Sequence, residues 1–200
     1  MTTVFRILRT ETVLGTCEAV SMSNQLAPQL AEQLDFHWRT ALRPRLDGLT
    51  DDEYFWAPVP GCWTLRADGA RMFPDFAYPP PEPAPFTTIA WRLAHVIVGV
   101  FAVRAHSHFD GPPADYQSWA YATDADTALK QLDDAYRSWH DGVLGLDDDA
   151  LTRPCGPAEG PYADESMTTL VLHINREAIH HGAEIALLRD LYLHTNKKEH

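Results

Sequence analysis

The chain has 200 residues, 45% of them hydrophobic and 22% charged, with a formal net charge of −12. That length suits one domain with a real core, and the composition is globular rather than disordered. The acidic balance repels phosphate backbones, so nucleic acid is excluded as an expected partner, and no uninterrupted apolar run approaches the ~20 residues of a membrane helix.

The first stretch, "MTTVFRILRTETVLGTCEAVSMS", has neither the apolar segment nor the small-residue cleavage site of a signal peptide. It also lacks a helical pattern before Met22. The reading is a disordered extension over residues 1–21, with Met22 as a candidate start, and one domain over residues 22–194. Cys17, Cys62 and Cys155 are odd in number and widely spaced, with no C-x-x-C. This favours reduced thiols in a cytoplasm over a disulfide framework or a cysteine-rich zinc site.

Four segments read as helices. The first runs from about Asn24 to Leu46, where Leu26, Leu30, Leu34, Trp38 and Leu42 recur every four residues along one face. Pro44 puts its last turn in question. The next 37 or so residues are dense in proline and aromatics, unlike a flexible linker, and are expected to pack on the core as an ordered loop or lid. No strand signal or internal repeat stands out. The second helix spans about Thr87 to His108, with threonines for an N-cap and Asp110-Gly111-Pro112-Pro113 to stop it. The link that follows is long enough to cross the whole domain and leave two neighbouring helices parallel. The third helix spans about Thr123 to Leu146, keeping Leu129, Leu132, Tyr136, Trp139 and Val143 at three-four spacing. The fourth begins near Ser166 to Thr168, and residues 195–200 read as a frayed polar tail. The economical fold is all-α, a four-helix bundle with long connections.

The fourth helix carries the chemistry. On a helical wheel His173, Glu177, His180, His181 and Glu184 share an arc of roughly 100°, while leucines and isoleucines fill most of the rest. Such a stripe faces either solvent or a polar interior site. Glu177 and His181, one turn apart, can converge on one ion, although a pair at this spacing is most often a plain helix-surface interaction. A catalytic site wants a third ligand from elsewhere. His95, mid-helix among Leu93, Val96, Ile97 and Val98, is the best candidate, and His37 the next. His106 and His108, near a helix end, read as solvated. His173 and His180 read as outer neighbours or exposed, and Glu184 as a bonded neighbour of the stripe. Arg92 reads as a salt-bridge partner of a nearby acid. Tyr54, Trp56 and Trp63 could wall a pocket, and plain packing is the commoner role for each. Cys62 and Cys155 fit buried structural thiols.

The pieces "QLDFHWRTALRPRLDGLTDDEYFWAPVPGCW", "TTIAWRLAHVIVG" and "HINREAIHHGAEIALLRDLY", with the proline-rich link, resemble the DinB-like superfamily, which includes mycothiol-dependent maleylpyruvate isomerases and related bacterial thiol transferases. The resemblance covers about Met22 to Leu193. It implies a four-helix bundle holding a divalent metal on His95, Glu177 and His181. Many members have histidine where this chain has Glu177, and the glutamate is the form of the mycothiol-dependent branch. The resemblance thus implies zinc, or alternatively nickel, a low-molecular-weight thiol as cosubstrate and a small-molecule electrophile as substrate. A metal-dependent hydrolase on the same triad, with Glu184 or His180 as base, and a non-catalytic stress-related binding protein are the alternatives. An apolar bundle face would permit a homodimer.

Overall fold

A computed structural model of the protein describes residues 26–196. The expected extension over residues 1–21 and the proposed start at Met22 lie outside the described residues, as do residues 197–200. Residue 195 is still helical.

The described chain is mainly helical. Its elements are α1 (residues 26–45), a short α2 (Asp51–Tyr54), the hairpin β1 (Leu65–Asp68) and β2 (Arg71–Pro74), α3 (Ile89–Phe109), α4 (Ala125–Leu144), a short α5 (Asp148–Thr152) and α6 (Met167–Thr195). Local chemistry sets the helix starts. The side chains of Thr88, Asp124 and Ser166 accept backbone N–H bonds from Trp91, Thr127 and Thr169, filling the unpaired first turns of α3, α4 and α6. Asp110, in the left-handed region at φ 53°, ends α3 where the Asp-Gly-Pro-Pro run begins.

Two helices contain π-helical stretches that the regular four-residue spacing did not predict. In α1 the stretch is Trp38–Leu42, closed by the Arg43 N–H bonding the Trp38 carbonyl. Pro44 follows directly, and the helix still reaches Arg45. In α3 it is His95–Ala102, where the Val103 N–H reaches back to the Val98 carbonyl. Each wide turn inserts an extra residue, which changes the face that the rest of the helix presents.

The four long helices pack in the ring order α1, α4, α3, α6. Phe101 lies against Tyr136 and Phe109 against Trp139, so α3 and α4 run parallel. Asn175 bonds the Leu30 carbonyl and Arg45 bonds Asp190, so α1 and α6 are also parallel. The link over residues 110–124 therefore does return along the domain, as its length allowed.

The core is continuous. It takes Leu30, Leu34, Trp38 and Leu42 from α1, and all five expected residues of α4. Leu26 departs from the expected face and is exposed. Trp38 stacks flat on Tyr136, with centroids 3.8 Å apart, and the Tyr136 hydroxyl donates to Asp35 at 2.8 Å. Each fully buried large side chain here contributes roughly 1.5–3 kcal/mol. Helix α3 has the length and apolarity of a membrane span, yet 67% of that window is buried inside the fold. It passes that measure although Arg92, His95 and Arg104 interrupt its apolar run.

The loop between α1 and α3 is ordered, as its aromatics predicted. Backbone bonds from Trp63 to Phe86 and from Thr88 to Trp63 tie its middle to its C-terminal end. It also holds the two-stranded sheet, which corrects the expectation of no strands. Leu65 pairs with Pro74 and Asp68 with Arg71, leaving Gly69 (φ 60°) and Ala70 as the turn. Asp68-Gly69 was the available signal.

Candidate metal centre

His95 opens the π-stretch of α3, and Glu177 and His181 project from α6, which runs antiparallel beside it. The rings of His95 and His181 meet edge-on, with centroids 4.7 Å apart. One donor atom from each of His95, Glu177 and His181 lies within 4.8 Å of the others. His181 Nε2 and Glu177 Oε2 are 3.4 Å apart. Metal–ligand bonds of ~2.1 Å in a tetrahedron put neighbouring donors about 3.4 Å from each other, so this edge already has the span of a zinc site. Two neutral imidazoles and one carboxylate are also the donor set that zinc and nickel take. The residues fit a divalent metal.

Burial pushes the His95 imidazole down to about 4, with further depression from His181 and Arg92. His95 is therefore neutral near pH 7, the form a metal requires. Its ring lies flat beside Trp91, 5.7 Å away with an interplanar angle of 13°. The Trp91 indole N–H donates to the Asp75 carbonyl at 2.9 Å, and Trp63 packs on its other side. The long loop thus supports His95 through two tryptophans. Of the three loop aromatics singled out from the sequence, Trp63 is the one that reaches the site. Tyr54 is buried against Phe55, and Trp56 packs on Tyr192.

His181 is held from behind. Its Nδ1 lies 2.7 Å from Glu184 Oε2, and Arg92 reaches the same oxygen at 2.9 Å. A donating Nδ1–H leaves the Nε2 lone pair facing Glu177, so Glu184 fixes both tautomer and ring orientation. Arg92 is the salt-bridge partner the sequence suggested. His180, His181 and Glu184 also lie close enough to share an ion. Two of those groups are already committed: Glu184 holds Arg92, and the His181 nitrogen that would be needed faces Glu184. His180 itself is exposed.

His173 Nδ1 stands 3.6 Å from Glu177 Oε1, and Arg176 bonds His173 at 2.6 Å. Both residues line a cleft of about 710 Å³, walled by Arg104 of α3, by Thr169, Leu170 and Leu172 of α6, and by the connecting segment from Cys155 to Glu165. That segment is pinned by Glu159, whose side chain is 8% exposed and bonded to His108 at 3.0 Å and Arg104 at 3.3 Å. The His108 bond, followed by Arg104, holds the Glu159 carboxyl below its usual range despite burial. His108 is accordingly not solvated, which corrects the sequence reading: its side chain is 5% exposed and faces a partner supplied 51 residues later. His106 is exposed as expected.

His37, the second choice for a third ligand, does not join the site. It sits on α1 with Nε2 buried and unpartnered beside Gly182, and burial lowers its pKa. Cys62 and Cys155 are buried thiols that donate to backbone carbonyls.

A family comparison decides the lineage: the model of the DinB superfamily matches residues 33–185. The chain belongs to the DinB superfamily. Searches of curated proteins and of solved structures gave no match. The matched region of this DinB-superfamily chain contains His95, Glu177, His181, Glu184 and Arg92, so the whole centre falls inside the family portion. The resemblance read from the sequence pieces is confirmed at that level.

Proposed function

We propose that this DinB-superfamily chain is a cytoplasmic, metal-dependent transferase that joins a low-molecular-weight, mycothiol-like thiol to a small electrophile. We read its ring of four long helices as a four-helix bundle built around the centre. The observation that carries the reading is the convergence of three donors, His95, Glu177 and His181. Three protein ligands leave room for a ligand from solution.

When bound, zinc, or alternatively nickel, would supply Lewis acidity that favours the thiolate form of a small thiol, the nucleophilic form. His95 and His181 offer ring nitrogens, and the Glu177 carboxylate would offset one positive charge of the metal. Glu184 and Arg92 keep the His181 ring in place. The cleft meets the centre through His173, 3.6 Å from Glu177, and gives room for the body of a small molecule, with Arg104 and Arg176 offering hydrogen bonds. The protein needs no nucleophile of its own. Burial raises the Cys155 thiol pKa, which suits a structural role. A hydrolase on the same triad would want a free base, and Glu184 is occupied by Arg92 and His181.

Elemental analysis of tag-free protein tests the metal first, expected at about one zinc or nickel per chain and lost in His181→Ala. Turnover of an electrophile with and without added thiol then tests the chemistry. Equal turnover without thiol would replace the transferase reading with hydrolysis.

A further inference from the structure

Gly99 lies one turn beyond His95, buried on the same helix. A Cβ placed on it would stand 3.2 Å from His95 Nδ1 and 2.5 Å from the Tyr116 hydroxyl oxygen. The missing side chain is therefore what allows a phenol from the 110–124 link to reach the edge of the metal centre. Alanine at this position would collide with that hydroxyl.

Tyr116 is held in place at its backbone. Its carbonyl accepts the Tyr121 hydroxyl at 3.0 Å. Asp115 caps the following turn through the Gln117 and Ser118 N–H groups at 2.8 Å each, and Arg71 of the hairpin grips the Gln117 carbonyl at 2.7 Å. Beneath it, Arg104 bonds the Gly99 carbonyl. Yet the Tyr116 hydroxyl makes no hydrogen bond among the described residues, and the residue is 46% exposed. A positioned phenol with an unused O–H, reaching the centre from another segment, has the geometry of a ligand-binding group rather than of a core tyrosine.

We infer that the Tyr116 hydroxyl donates a hydrogen bond to an oxygen atom of the substrate beside the centre formed by His95, Glu177 and His181. This rests on the metal-dependent reading above. Gly99 makes the approach possible, and the 110–124 link serves as the arm that carries the donor. A metal-bound thiolate can also accept such a bond, so an oxygen probe and a sulfur probe are needed to tell the two ligand atoms apart.

The test uses the full chain loaded with cobalt(II), whose visible spectrum reports ligand changes. Acetohydroxamate is the oxygen probe and 2-mercaptoethanol the sulfur probe, titrated into unaltered protein, Tyr116→Phe and Gly99→Ala. Tyr116→Phe keeps the ring and removes only the hydroxyl. The expected result is ~10-fold or more weaker acetohydroxamate binding in Tyr116→Phe, with 2-mercaptoethanol affinity unchanged. Gly99→Ala, whose Cβ crowds both the phenol and the His95 ring, should weaken both probes. Equal affinities for both probes in unaltered protein and Tyr116→Phe, or a parallel loss for both, would overturn the role of Tyr116 while leaving the metal intact. Failure of the unaltered protein to bind cobalt would overturn the metal reading and this inference with it.

Discussion

At Glu184 one carboxylate oxygen meets both His181 Nδ1 and Arg92. Replacing it with glutamine keeps the shape and weakens the hold on the ring, so Glu184→Gln should lower zinc affinity about 10- to 100-fold without unfolding the chain. Chelator competition measures this directly. His95 makes a separate prediction for the metal-free protein. Its proton binds near 6.5 in the ordinary state and at about 4 in the fold. Between those values the unfolded chain holds more protons, so folding stability rises with pH across that window and falls on acidification. Denaturation of His95→Gln should lack this contribution, and an unchanged pH slope between unaltered protein and variant would contradict it. The candidate ligands were legible because histidine and glutamate are conspicuous among leucines at helical spacing. The pairing of His108 with Glu159 was not, since nothing local to "RAHSHF" announces a partner 51 residues on.

Between elements, the parallel contact of α3 and α4 depends on close approach. A Cβ on Gly142 would overlap the Phe109 ring. Gly142→Ala should therefore destabilise the protein by roughly 1–3 kcal/mol in urea denaturation, despite the better helix propensity of alanine, and Phe109→Leu should restore part of the loss. The helices themselves were readable from spacing and caps: Thr88 and Ser166 begin α3 and α6 where the sequence suggested. The π-stretch of α3 was not readable, because "HVIVGVFA" is apolar at every position after His95 and so carries no periodicity to tell narrow turns from wide ones. The hairpin escaped notice for a related reason. Leu65 is the one buried residue of β1, so the alternation that marks a strand is nearly missing.

Across the whole molecule, Arg189 ties distant segments together. It forms a two-pronged bond with buried Glu53 at 2.6 and 3.0 Å, and donates to the carbonyls of Arg45 and Asp47 at the end of α1. Arg189→Met leaves a carboxylate buried without its partner and should cost about 3–5 kcal/mol, whereas Arg189→Met with Glu53→Leu should recover much of that. Equal stability of the single and double variants would count against the ion pair as the cause. The same long-range architecture bears on how a newly made chain acquires its chemistry. His95 is synthesised well before Glu177 and His181, with all of α4 in between, so a ribosome-bound chain carrying α1 to α4 offers a metal one histidine and no cage. For the proposed centre, capture would wait until α6 has emerged and docked between α1 and α3. Metal loading would then be coupled to the last large folding event, and a chain stalled before that step would compete poorly for scarce ions.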